Sequence, residues 1–309
     1  MGNKYYEIFD DLIGAHMRNL IIYEYNSEQK KHIYHPYRHD YKKDAEELLA
    51  SYMRKYIYFY AYSEKEVIDS FEFGLLSDLE AAACFALQHR LPKRYGPSNG
   101  LYSELLLDLL ITLFRGDVNK LATRAIYRQM TDNQEIKGFD GLHIVTSNTE
   151  NELWLGQAKM GDISYCLRSI TTDLEQKTNM LYTSKQLYFI ADKEKSAVDK
   201  ALELLKKINN VSMKAEMLKL SEEEKAQLLN EFFEKEEIKI VFPCLIAYSS
   251  SDIYEVEEKI DENINNELAK LIDRFDDKFD ALLDVEYQIL ILFIPIRDLE
   301  MLRKRMVEI

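Results

Sequence analysis

The chain has 309 residues, 47% of them hydrophobic and 30% charged, with 10 glycines and 5 prolines. That composition fits a folded, helix-rich body and excludes a disordered chain; no run of about 18 apolar residues offers a membrane span. The formal net charge of −14 excludes simple whole-molecule steering toward nucleic acid. At the N-terminus, "MGNKYYEIFDDLIGAHM" carries acids where a signal peptide would be basic and then apolar. "MGNKYY" also lacks the Ser or Thr of a myristoylation signal, so a cytoplasmic location is expected. "NLIIYEY" reads as a strand, "KKDAEELLASYMRKY" as a helix, and "YIYFYAYS" as a strand from its aromatic alternation. Between them, "KHIYHPYRHDYKK" holds His32, His35 and His39 at spacings that would suit a metal site on a helix. Pro36 biases His35 away from helix, so the stretch reads as an exposed basic-aromatic loop.

Residues 64–90 read as one or two helices, and "LPKRYGPSNG" as a loop from its Pro and Gly content. "LYSELLLDLLITLFRG" is apolar nearly all round, which predicts a helix buried on most faces and stopping at Gly116. Glu104 in its first turns needs a partner, because an unpaired buried charge is costly. "KLATRAIYRQ" alternates like a strand. After the hairpin considered below, "GDISYCLRSITTDLEQKTNM" reads as a helix and "KQLYFIAD" as a strand. Two more helices lead to the strand "IKIVFPCLIAYS", and a helix of about thirty residues carries an apolar stripe from Ile253 to Leu282. "YQILILFIPI" is apolar on both faces, hence internal to a sheet, and "RDLEMLRKRMVE" closes the chain as a helix. The strand–helix–strand order from 237 to 296 predicts a crossover joining parallel strands. Cys84, Cys166 and Cys244 are odd in number and far apart, and read as reduced thiols.

Charge is unevenly spread. Val211–Ile309 holds 13 Lys and Arg against 24 Asp and Glu, whereas His89–Met130 holds seven basic residues against Glu104, Asp108 and Asp117. The basic segment precedes "KGFDGLHIVTSNTENELWLGQAKM", two alternating runs joined by the turn-rich "TSNTEN". In a strand, side chains two apart share a face, so Gln157 and Lys159 point the same way and Ala158 the opposite way. Antiparallel pairing puts Asp140, at the start of the first strand, beside Lys159 at the end of the second. Gly141 and Gly156 mark a close approach of backbone or ligand. A carboxylate, an amide oxygen and an ammonium thus share one corner. Singly, each has a plain reading. Asp140 would be a turn residue, Lys159 a solvated edge lysine, and Glu104 a partner for Lys93, Arg94 or Arg124. Trp154 reads as core, and His143, on the strand face opposite Asp140, as core or as a support behind the site rather than a catalytic group.

The order helix with Glu104, strand, Asp140-Gly141, strand, Gln157-x-Lys159, helix resembles the PD-(D/E)xK nuclease core. Gln157 stands where that pattern has an acid, which removes one negative charge. More narrowly, "LYSELLLDLL", "GFDGLHIV" and "ELWLGQAKM", within roughly residues 101–180, resemble the HamA family of nuclease subunits in Hachiman anti-phage defence. The resemblance implies an α/β, restriction-endonuclease-like mixed sheet flanked by helices. An N-terminal α+β region (1–90) would pack on a nuclease core with a C-terminal α/β extension (91–309) in one body. It implies a Mg2+-dependent deoxyribonuclease, with Mn2+ as a substitute, acting on DNA. Asp140, Glu104 and Gln157 would hold the metal, the Ala158 carbonyl would complete the set, and Lys159 would orient or help deprotonate the attacking water. Ser164 and Arg168, opening the next helix, would contact phosphate. A HamB-like helicase subunit would hold the nuclease in check until DNA damage or infection releases it, docking on the acidic surface. Two alternatives stand beside this: a non-catalytic interaction module that keeps the nuclease fold, and a restriction-type endonuclease. No helix-turn-helix or zinc-finger signature supplies a recognition domain for the latter.

Overall fold

A computed structural model describes residues 4–22, 28–29, 31–42, 44–91, 100–115, 118–123, 138–146, 151–191, 199–276, 279, 283 and 285–307. The expected loop over 92–99, the stop at Gly116, the turn over 147–150, and Lys93, Arg94, Arg124 and Arg128 lie outside these residues. The chain opens with helix α1 (Lys4–Phe9), a π-helical turn (Asp10–Gly14) and helix α2 (Ala15–Leu20). Short strands β1 (Ile21–Ile22), β2 (Glu28–Gln29), β3 (Ile33–Pro36) and β4 (Arg38–His39) follow. Next come helices α3 (Ala45–Ala61), α4 (Glu64–Glu72), α5 (Leu79–His89) and α6 (Leu101–Phe114). Strands β5 (Val118–Thr123), β6 (Gly141–Thr146) and β7 (Asn151–Gly161) lead to helices α7 (Ile163–Lys177), α8 (Met180–Ala191), α9 (Asp199–Met217) and α10 (Glu222–Lys235). Strand β8 (Ile238–Ser249), helix α11 (Ile260–Phe275), strand β9 (Tyr287–Ile296) and helix α12 (Leu299–Val307) complete it.

Among the described residues, seven strands form one sheet in the order β2-β3-β9-β8-β7-β6-β5. Strands β5, β6 and β7 are antiparallel neighbours, whereas β7, β8, β9 and β3 run parallel. The expected crossover from β8 through α11 to β9 is therefore present. Alternation along the central strands builds two cores. Leu290, Leu292 and Ile294 of β9 pack with α1–α6 and α12, while Ile289, Ile291 and Phe293 pack with α7–α11 on the other face. A mixed sheet covered by helices on both faces is the restriction-endonuclease-like arrangement. Among the described residues no helix is long and apolar enough to cross a membrane.

Several local expectations are corrected. "YIYFYAYS" is not a strand: α3 runs on through Ala61. Its tyrosines alternate, but Tyr56 and Tyr60 are also four apart, and nothing between Ala45 and Ala61 breaks the helix. "KQLYFIA" lies in α8, where Met180, Thr183, Ser184 and Leu187 are buried at a helical period. The thirty-residue helix is shorter, because Val256 is extended (φ −132°, ψ 116°) and α11 starts only at Ile260. Val256 is exposed, so no buried contact rewards continuing the helix there. In "NLIIYEY", Asn19 and Leu20 end a helix and Ile21–Ile22 form a strand, while Tyr23, Glu24 and Tyr25 lie outside the described residues.

The histidine-bearing stretch is neither exposed nor a helix. His32 and His39 are buried, and β3 pairs with β9 inside the main sheet. The two nitrogens of His39 are both engaged: Nδ1–H donates to the Asp40 carbonyl (2.7 Å), and Nε2 accepts from the Arg297 N–H (3.0 Å). Burial lowers the His39 pKa to about 4, against the opposing pull of Glu46. The fold therefore holds the neutral ring, and the unfolded chain takes up a proton first, below the ordinary value of about 6.5. Stability is expected to fall as pH drops from about 6.5 toward 4, with up to about 3 kcal/mol at stake in this ring. Denaturant midpoints across that range check it. The loss should be smaller in His39→Gln than in the wild type, and equal losses would contradict it.

Candidate active site

The hairpin pairs Gly141 with Gly156 through Thr146 with Asn151. Asp140 extends it by one residue, its N–H donating to the Gly156 carbonyl (2.8 Å). Its side chain then turns in, and Oδ2 accepts the Ala158 N–H at 2.7 Å. The carboxylate is thereby pinned to the residue between Gln157 and Lys159. On the other side of β7, a Cβ at Gly156 would lie 2.8 Å from Leu107 Cδ2 and 3.3 Å from the Gly141 carbonyl oxygen. Glycine at 156 thus lets α6 lie directly against the hairpin. That approach puts Ser103 Oγ 3.5 Å from the Ala158 carbonyl, and Glu104 is the next residue on α6.

Every residue of α6 from Leu101 to Leu113 is buried, including Glu104 and Asp108. Their partners come from α3. Tyr60 Oη donates to Glu104 Oε2 (2.9 Å), and Tyr56 Oη donates to Asp108 Oδ2 (2.6 Å). Two tyrosines four apart thus meet two acids four apart on the facing helix. Burial and then the charges of Glu104, Asp108 and Asp140 hold the Tyr60 phenol well above its usual value, so it stays a donor. Asp108 also meets His143 Nε2 (2.8 Å) and Lys120 Nζ (3.6 Å). Burial would raise the Asp108 carboxyl, but Lys120 and His143 outweigh it and hold it below the ordinary aspartate value. His143 and Trp154 are core residues, as expected.

Gln157 and Lys159 share the opposite face of β7 and look onto α7. Gln157 Oε1 accepts from Lys177 Nζ (2.7 Å), and its Nε2 donates to the Gly156 carbonyl (2.8 Å). Lys159 Nζ lies 2.6 Å from Asp173 Oδ2. Burial lowers the Lys159 amine, but Asp173 and Asp140 outweigh it and hold it above the usual lysine value. It is a cation at neutral pH. Between Trp154–Val241 and Gln157–Cys244 the β7–β8 pairing lapses, opposite Phe242 and Pro243. Proline lacks the N–H that a ladder needs, so the sheet loosens beside the corner. Burial, then Asp173 and Asp140, push the Cys244 thiol up, which sets that buried thiol beneath the same charges.

Asp162 caps α7, its Oδ1 accepting the N–H groups of Ser164 (2.9 Å) and Tyr165 (3.1 Å). Ser164 and Arg168 are exposed on the first two turns. Asp173 and Lys177, which touch Lys159 and Gln157, were not anticipated from the sequence. Their only signal is their spacing of four on one helical face. Of the oxygen donors expected from the sequence, the Asp140 and Glu104 carboxylates are both 3% exposed, the Ala158 carbonyl lies 3.5 Å from Ser103 Oγ, and the Gln157 amide oxygen faces α7, where it meets Lys177. An all-oxygen set with two buried carboxylates suits a hard cation that keeps several waters. Among the described residues, no three His, Cys, Asp or Glu side chains converge as a preformed metal cage.

A family model described as HamA matches residues 14–309. No curated protein matches the chain.

Proposed function

Since the chain belongs to the HamA family, and so to Hachiman anti-phage defence, we propose that it is the system's Mg2+-dependent DNA nuclease. The observation that carries this reading is the Asp140 carboxylate seated on the Ala158 N–H, with Lys159 one residue beyond. Asp140 and Glu104 would hold the ion, aided by the Ala158 carbonyl and by Gln157, whose amide oxygen has a second lone pair beyond the one given to Lys177. Bound there, Mg2+ supplies an activated water and polarises a phosphoryl oxygen; Mn2+ can replace it. Lys159, held protonated by its neighbours, orients that water and stabilises charge developing on the phosphate, a better fit to its chemistry than the role of base. Ser164 and Arg168, exposed on α7, extend the contact along the DNA backbone. A HamB-like helicase restrains the nuclease and releases it on DNA damage or infection. The acidic final third of the chain is the surface for that partner.

The isolated protein is expected to degrade plasmid DNA with Mg2+ or Mn2+ and to stop when the metal is chelated. Plasmid left intact with either ion would overturn the reading. A non-catalytic module that keeps the nuclease fold is the second reading, favoured by the lack of a three-acid cage among the described residues. Calorimetry separates the two. Mg2+ binding that is lost in Asp140→Asn supports the nuclease, and no binding in either protein supports the module.

A further inference from the structure

We infer that Asp173 is the positioning residue for Lys159, and that Lys177 does the same for Gln157; the inference rests on the nuclease reading above. Lys159 Nζ is 2.6 Å from Asp173 Oδ2, and Lys177 Nζ is 3.7 Å from that oxygen. Lys177 also donates to Gln157 Oε1 (2.7 Å) and to the Gly138 carbonyl (3.3 Å), two residues before Asp140. One ammonium thus ties together helix α7, strand β7 and the backbone leading into the catalytic aspartate. The geometry follows from the two periods. Residues four apart on a helix rise about 6 Å. Residues two apart on a strand rise about 6.6 Å. After the turn at Asp162, α7 runs back over β7, so Asp173 meets Lys159 and Lys177 meets Gln157 in reversed order.

These contacts differ from an ordinary surface ion pair. The side chains of Lys159, Asp173 and Lys177 are 21%, 20% and 12% exposed, so water screens them only in part. A lysine on a four-carbon stem otherwise samples many rotamers, and a misplaced catalytic group is costly. The arrangement also gives a reason for the amide at 157. Gln157 accepts from Lys177 without competing with Asp173 for its charge, whereas a carboxylate there would draw Lys177 away. Asp173 touches Lys159, and through it the reaction.

The test uses the full chain with Asp173→Asn and Asp173→Glu. In Asp173→Asn, kcat for Mg2+-dependent plasmid cleavage should fall about ten- to a hundredfold, with KM for DNA and the melting temperature unchanged. Asp173→Glu should restore most of kcat. A second readout needs no activity: acylation of Lys159 by an amine-reactive ester, followed by peptide mass spectrometry. Lys159 should react severalfold faster in Asp173→Asn and near the wild-type rate in Asp173→Glu, with the exposed Lys42 unchanged. Wild-type labelling of Lys159 in Asp173→Asn, or wild-type kcat, would overturn the inference. If labelling responds as expected but no protein cleaves DNA, the Asp173–Lys159 pairing stands and the nuclease reading falls.

Discussion

Lys159→Ala is expected to slow Mg2+-dependent DNA degradation by about 10²–10⁴-fold, the range for removing one charge-stabilising or proton-handling group. The side chain is partly exposed, and Asp173 keeps a charge partner in Lys177 at 3.7 Å. The fold should therefore survive, and the loss should appear in kcat. Lys159→Arg keeps the charge but not the compact ammonium geometry, and should recover only part of the rate. Single-turnover cleavage of a labelled duplex, with thermal melts of each protein, measures this. Wild-type turnover in Lys159→Ala would remove Lys159 from the chemistry.

Asp108→Ala is expected to have the largest effect on stability, a loss of about 3–5 kcal/mol, because it strands buried charge. Lys120 and His143 both lean on this carboxylate, and Tyr56 donates to it. All four side chains are buried between α3, α6, β5 and β6. The depressed Asp108 carboxyl adds a pH signature. Its stabilisation is complete above the unfolded aspartate value of about 3.9 and is lost as pH falls through the lower folded value. Equilibrium denaturation at neutral pH is the measurement, and a loss below about 1 kcal/mol would show that the network carries little.

The corner around Asp140 was legible because it depends only on local rules. A period of two puts Gln157 and Lys159 on one face, and hairpin pairing returns the chain to Asp140. The helix with Glu104 was legible as an anomaly, an acid in an apolar run, but its partner was not. That partner is Tyr60, hidden in a run whose alternation imitates a strand, and only packing against α6 distinguishes the two. Asp173 and Lys177 were illegible for a related reason. Which face of α7 covers β7 is decided by how the layers pack, and the sequence carries only the spacing of four. The short strands β2 and β3 were missed because two to four residues are too few for a periodic signal. β3 takes its place in the sheet from pairing with β9, over two hundred and fifty residues later, and β2 takes its place from pairing with β3.

The most direct measurement compares wild type and Asp140→Ala in Mg2+-dependent degradation of plasmid DNA, at matched concentration and with matched melting temperatures. Asp140 holds the Ala158 N–H and directly precedes the first strand of the hairpin. The wild type should degrade the DNA, and Asp140→Ala should leave it intact. Equal degradation by the two folded proteins would contradict the assignment of this corner as the nuclease site.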